Sequence, residues 1–183
     1  MSLISSAANT KSAIKTAIIG YGFSAKTFHI PFISNMAEFA FVAISSRQQE
    51  RVNKDWPNTQ YFASPEALIT QSDAELVIIT APNDVHFSLA KLALENNKHV
   101  ILEKPFVTNS HDGERLIALA EKNHKLLSVF QNRRYDGDFL TVQKLIREQQ
   151  LGEIKVFEAH FDRFRPEVRQ RWRASQRRRR NTI

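Results

Sequence analysis

The sequence predicts an α/β fold, a doubly wound parallel sheet. Three observations carry that reading. Six short, mostly apolar runs alternate with stretches of helical character, and no internal repeat is present. The first run, Ile14 to Ile19, has the composition of a strand buried on both faces. Between that run and the first helix stands Gly20-Tyr21-Gly22-Phe23-Ser24-Ala25, a G-x-G-x-x-A turn.

The elements follow in order. Lys26 to Ser34 begins as a helix, and Phe39 to Ile44 is a second apolar strand ending at Ser45-Ser46-Arg47. Gln48 to Asp55 reads as a short polar helix closed by Trp56-Pro57, and Gln60 to Phe62 as a third strand. Ser64-Pro65-Glu66 is a helix start, with serine as cap and proline in the first turn. Glu75 to Thr80 is the fourth strand, stopped by Ala81-Pro82-Asn83. Asp84 is expected to cap the helix Val85 to Glu95, which Asn96-Asn97 closes because asparagine tolerates the left-handed conformation. His99 to Leu102 is the fifth strand, running into Glu103-Lys104-Pro105. A helix from Asn109 or Ser110 to about Asn123 leads to the sixth strand, Leu126 to Phe130. Asp138 to Gln150 is a further helix, with Phe139, Val142, Leu145 and Ile146 on one face. After the turn at Leu151-Gly152, Ile154 to Asp162 alternates in polarity and predicts one strand of a second sheet, which cannot hold itself together alone.

Strand, glycine turn and helix in that order form the dinucleotide-binding fingerprint. Gly20 permits the tight turn, Gly22 lets the backbone approach a pyrophosphate, and Ala25 lets helix and strand pack closely. The helix start offers unpaired N–H groups and partial positive charge to phosphates. Tyr21, Phe23 and Ser24 belong to the same turn. In an open α/β sheet ligands sit at the carboxyl ends of the strands. That rule adds Ser45, Ser46 and Arg47 after the second strand, and Thr80, Ala81, Pro82, Asn83 and His86 after the fourth. His86 also has a plain alternative as a capping or packing residue.

Composition excludes other classes. There is no cysteine, so disulfides and thiolate–zinc sites are ruled out and a cytoplasmic home is expected. No run approaches the ~20 apolar residues of a membrane span, so no membrane partner is predicted. His29, His99, His111, His124 and His160 lack metal-ligand spacing, so no metal is predicted. The net charge of +7 is local. The last 21 residues hold nine arginines against Glu167 alone, while the rest, with 17 basic and 18 acidic groups, is nearly neutral. A nucleic-acid partner would rest on that tail only and is not the expectation.

Several ordered motifs together carry a family resemblance. Gly20-Tyr21-Gly22, Ala81-Pro82-Asn83-Asp84-Val85-His86, Lys98-His99-Val100, Glu103-Lys104-Pro105, Asn132-Arg133-Arg134-Tyr135-Asp136 and Leu151-Gly152-Glu153 resemble the glucose–fructose oxidoreductase / inositol dehydrogenase family, written Gfo/Idh/MocA. The match runs over about residues 14–173, and His160 to Pro166 is similar to a bacterial subgroup. The resemblance implies a Rossmann domain followed by a second α/β domain, with hydride transfer between a nicotinamide cofactor and a sugar, polyol or related carbonyl compound. It implies homo-oligomers for the full-length relatives. It implies that Lys104 lies near the nicotinamide and hydrogen-bonds the reacting oxygen as the catalytic residue, with Glu103 holding it and Asn132 among the cofactor-binding residues. An ammonium beside an oxygen gaining negative charge stabilises it. Arg133 and Arg134 are weighed between phosphate contact and pairing with Asp136 or Asp138.

The sequence departs from the family in two ways: Asn97 replaces a usual glycine, and the later segment with an aspartate and an acid–base histidine has no counterpart. The expected organisation is therefore a disordered N-terminus over 1–12, a Rossmann domain over 13–150, the start of a truncated second domain over 151–173, and a disordered basic tail over 174–183. A single-base frameshift accounts for the arginine run and early stop; a genuine tail that docks on an acidic partner is the alternative. The truncated chain is expected to have little turnover of its own, and a non-catalytic dinucleotide-binding module is the rival function. For the cofactor, NADP(H) is favoured and NAD(H) is the second choice. The second strand ends in two hydroxyls and a cation where an NAD-specific domain places an acid. Glu50 and Asp55 lie too far along the next helix to replace it.

Overall fold

The structure, a computed structural model, describes residues 12–162, 164 and 166. The expectations for residues 1–11 and for the basic tail lie outside the described residues. Among the described residues, those up to Arg134 form one compact unit and those from Tyr135 onward a second.

The first unit is a six-stranded, all-parallel sheet in the order β3-β2-β1-β4-β5-β6. Its strands are β1 (Ile14–Ile19), β2 (Phe39–Ser45), β3 (Gln60–Phe62), β4 (Leu76–Ile79), β5 (His99–Leu102) and β6 (Leu127–Val129). The order reverses between β1 and β4, which pair in register from Thr16 opposite Leu76 to Ile19 opposite Ile79. The carboxyl ends of these two strands therefore diverge toward connections on opposite faces, and that is where a crevice opens.

A π-helical turn, Ala25–His29, runs into α1 (Ile30–Ile33); α2 (Gln49–Asp55) follows β2, and α3 (Pro65–Gln71) follows β3. A 3₁₀ turn, Asn83–Val85, leads into α4 (His86–Glu95), and α5 (Ser110–Lys122) precedes β6. The strand residues divide by parity. Ala17, Ile19, Val77, Ile79, Val100 and Leu102 pack with Leu68, Ile69, Leu89, Ala93, Leu94 and Leu116, from α3, α4 and α5. Ile18, Ile44 and Ile78 face the other way, onto Ile30, Ile33 and Val52. Both faces are thus covered, which is why the strands read as continuous apolar runs rather than alternating ones. Each fully buried Ile or Leu in these layers contributes roughly 1.5–3 kcal/mol.

Local signals explain the ends of the elements. The Ser64 hydroxyl accepts from the Ala67 amide at the start of α3, and Asn109 accepts from the Asp112 amide at the start of α5. Asn97 closes α4 in the left-handed region at φ 59°. One cap differs from expectation. Asp84 lies inside the 3₁₀ turn, and Val85 precedes α4 without a side-chain cap. The proline at 82 and the tight turn after it displace the helix start beyond the aspartate's reach. Among the described residues no helix is long and apolar enough to cross a membrane.

The second unit holds α6 (Gly137–Arg147). Beyond it, Gln149 and Gly152 take positive φ, and no strand is present over residues 154–162. The alternation there is real in sequence, but a strand is defined by its hydrogen-bonded neighbour, and the described residues provide none. Val156, Phe157, Phe161 and Phe164 are exposed.

Candidate functional site

The crevice at the β1/β4 reversal is a cleft of about 580 Å³, within the range of small-molecule and cofactor sites. Nine of the expected cofactor residues line it: Gly20, Tyr21 and Gly22 after β1, Ser45, Ser46 and Arg47 at the end of β2, and Thr80, Ala81 and Pro82 after β4. These segments are distant in sequence and are brought together by three parallel strands ending at one level.

Gly20 is held by the sheet itself. Its amide donates to Ser45 O at 2.8 Å, its φ is +102°, and a Cβ there would stand 2.4 Å from Thr80 Oγ1 and 3.3 Å from the Thr80 backbone. Thr80 in turn donates from both its amide and its hydroxyl to Ile19 O, at 2.8 and 2.9 Å. Only glycine satisfies both the conformation and the space. Gly22 is the opposite case. A Cβ there would meet nothing within 4 Å, so the cradle is open toward the cleft. Ala25 is fully buried where the helical segment crosses the sheet. A dinucleotide pyrophosphate fits this arrangement: an open glycine backbone, a helix start behind it and a cleft of adequate volume.

The end of β2 forms the second wall. Gln48 donates its amide to Ser46 Oγ at 3.0 Å, and Tyr61 Oη donates to Ser46 O at 2.7 Å, so the turn is fixed while the Ser46 hydroxyl proton is left to give. Arg47 is exposed at the lip of the cleft. Tyr21 is buried, and its hydroxyl donates to Asp55 Oδ2 at 2.6 Å. Burial and the Asp55 carboxylate both raise the Tyr21 pKa. The Lys26 ammonium lies 3.9 Å above the Tyr21 ring. Two acids read from sequence only as parts of helix starts, Glu66 and Asp84, also line the cleft.

The remaining expected residues stand behind or beside this wall. Phe23 is exposed and stacks edge-on against Phe28. Ser24 donates its hydroxyl to Glu103 Oε1, which leaves the backbone as its offering to a ligand. Glu103 is buried at 7% exposure and also receives His29 at 3.1 Å on the same oxygen. Its other oxygen accepts the Lys104 amide at 3.1 Å and lies 3.9 Å from the Lys104 ammonium. Burial on its own would raise the Glu103 pKa; hydrogen bonds from His29, Ser24 and the Lys104 amide outweigh it and hold the carboxyl at about 2. Lys104, half-exposed, precedes Pro105 across a cis peptide bond.

His86 is fully buried and is absent from the cleft wall. Its ring nitrogens lie 2.9 Å from Ala81 O and 2.9 Å from Pro105 O, so it joins the turn after β4 to the turn after β5. Asn83 is half-buried in the 3₁₀ turn outside the wall. Asn132 Oδ1 is buried without a hydrogen-bond partner among the described residues. No motif singles out His29; its one signal is a polar residue beside Ile30 and Ile33, nine positions after Gly20.

Comparisons with known proteins agree with this geometry. Residues 14–131 match the family model GFO_IDH_MocA, described as an oxidoreductase family with NAD-binding Rossmann fold. The chain is 46% identical over 160 residues to the uncharacterized oxidoreductase YdgJ of Escherichia coli K12, covering 87% of this chain and 46% of that protein. It is 38% identical to the scyllo-inositol 2-dehydrogenase (NADP(+)) IolW of Bacillus subtilis, over 87% of this chain and 45% of the relative. Among solved structures, an NAD-binding protein from Listeria innocua superposes with a TM-score of 0.70 at 30% identity, over 78% of this chain and 42% of that one. The chain thus spans less than half the length of the relatives it matches.

Proposed function

The chain belongs to the Gfo/Idh/MocA oxidoreductase family with its NAD-binding Rossmann fold, and from that premise we propose that it binds NADP(H) in preference to NAD(H) and serves hydride transfer to or from a sugar, polyol or related carbonyl compound. The observation that carries the cofactor preference is the cleft wall at the end of β2. Ser46 and Arg47 stand where an acid would bond a ribose 2′-hydroxyl, and Asp55, at the far end of α2, is engaged by Tyr21. A guanidinium and a hydroxyl donor suit a 2′-phosphate.

Bound in the cleft, the nicotinamide dinucleotide supplies or accepts the hydride. The residues of the chain do the rest. The Gly20–Gly22 turn and the helix start would hold the pyrophosphate through backbone N–H groups. Lys104 stands at the carboxyl end of β5 and donates a hydrogen bond to the reacting substrate oxygen, stabilising negative charge that develops there. Glu103 orients Lys104 from beneath. The substrate class is supported by the family and by the name of the Bacillus subtilis relative.

The test is a titration of the purified chain with both oxidised cofactors, repeated on Arg47→Ala. Tighter binding of NADP than of NAD, lost in the variant, supports the proposal. Tighter NAD binding refutes the preference, and no binding of either refutes the reading.

A further inference from the structure

We propose that His29, although it lies outside the cleft wall, is a positioning residue for Lys104, acting through the one carboxylate they share. The inference rests on the reading of Lys104 as the residue that meets the substrate oxygen.

The geometry divides Glu103 into two halves. Oε1 takes both donors from the glycine turn and the helical segment that follows it, the Ser24 hydroxyl and His29 Nε2 at 3.1 Å. Oε2 faces the lysine, accepting its amide at 3.1 Å with the ammonium at 3.9 Å. A carboxylate buried this deeply without donors would take up a proton and cease to attract the ammonium. His29 and Ser24 remove that alternative and fix the carboxylate plane at the same time. The His29 ring cannot readily swing away, because it is buried and packs against Phe130, with centroids 4.2 Å apart and ring planes at 46°. The titratable groups facing Glu103 among the described residues are His29 from the first helical segment and Lys104 after β5; Ser24 and Phe130 bring no charge.

Lysine needs such a device. Its side chain has four rotatable bonds and stands half in solvent here, so without a fixed anion its ammonium samples many positions. Through Glu103, the turn that would carry the pyrophosphate and the lysine that would meet the substrate are referred to one buried atom pair. Ser24 lies in that turn and His29 at the end of the π-helical segment, so both register the position of the first helix against β5.

The experiment measures order at Lys104 in the full chain without cofactor. Lysine 13Cε order parameters are recorded by NMR, with the Lys104 signal identified by its loss in Lys104→Arg. In the wild type Lys104 is expected to be more ordered than Lys54, an exposed lysine on α2. His29→Leu, which keeps apolar packing on Phe130, and Glu103→Gln should both lower Lys104 to the level of Lys54. His29→Gln, which keeps a donor near the place of Nε2, should retain most of the order. A Lys104 no more ordered than Lys54 in the wild type overturns the proposal, as does an unchanged value in His29→Leu. A fall in His29→Gln as large as in His29→Leu also overturns it, since ring packing rather than the hydrogen bond would then be responsible. Should His29→Leu fail to fold, the wild-type imidazole 15N spectrum decides. A protonated His29 Nε2 that shifts in Glu103→Gln supports the proposal, and an unprotonated one overturns it. None of these readouts needs a cofactor, so a chain that binds neither dinucleotide yet shows this ordering keeps the network and loses the functional reading.

Discussion

The Tyr21 hydroxyl donates to Asp55 Oδ2 at 2.6 Å, across 34 residues of chain, and so ties the dinucleotide turn to the last residue of α2. Arg47, on the cleft wall after β2 beside that turn, makes cofactor choice testable. Arg47→Ala should weaken NADP binding by about tenfold or more, the scale of one lost charge-assisted hydrogen bond, and NAD binding by less than about twofold. Equal losses for both cofactors in Arg47→Ala would show that the guanidinium does not meet the 2′-phosphate.

The two glycines of the turn should fail differently. Gly20→Ala places a Cβ against Thr80 in a backbone conformation of φ +102°, so the fold itself should lose about 2 kcal/mol or more. Gly22→Ala meets nothing within 4 Å, so its melting temperature should match the wild type while dinucleotide affinity falls about tenfold or more. Denaturant melts and cofactor titrations on both variants check this. A Gly22→Ala protein that binds as well as the wild type would remove the pyrophosphate from this turn.

Acid stability should carry the signature of Glu103. Its folded pKa is lowered from 4.5 to about 2, because three donors outweigh a burial that alone would raise it. A group depressed in the folded state contributes stability that is fully present above its ordinary value and is lost as pH falls through the folded one. Stability should therefore drop as pH falls from 4.5 toward 2, and Glu103→Gln should flatten that limb. Denaturant midpoints across this range measure it, and parallel limbs in the two proteins would contradict the assignment.

His86 should behave as a structural link. His86→Leu removes the bridge between Ala81 O and Pro105 O inside a fully buried site, at a cost of about 2–3 kcal/mol in unfolding free energy. A stability unchanged within error would mean that these carbonyls find other partners.

Much of this was legible in sequence because it is local. The apolar runs gave β3 and β5 at their observed bounds, and Ser64-Pro65 and Asn97 marked their helix ends through chemistry confined to one turn. The glycine turn was legible for the same reason. What was not legible depends on distant partners. Asp84 looks like a cap until the proline turn before it is folded. Ser24 looks like a phosphate ligand until Glu103, 79 residues away, takes its hydroxyl. His29 carries no motif at all, and its role appears only when β5 brings Glu103 to it across 74 residues. Residues 154–162 show the alternation of a strand, but pairing is a property of two segments and not of one.

The most direct measurement of the central claim is NMR chemical-shift mapping of the chain with NADP+. The largest amide changes are expected on Gly20, Gly22, Ser46, Arg47 and Ala81, and those at Ser46 and Arg47 should shrink when NAD+ replaces NADP+. Changes that leave the Gly20–Gly22 turn untouched, or a pattern at Ser46 and Arg47 identical for the two cofactors, would contradict it.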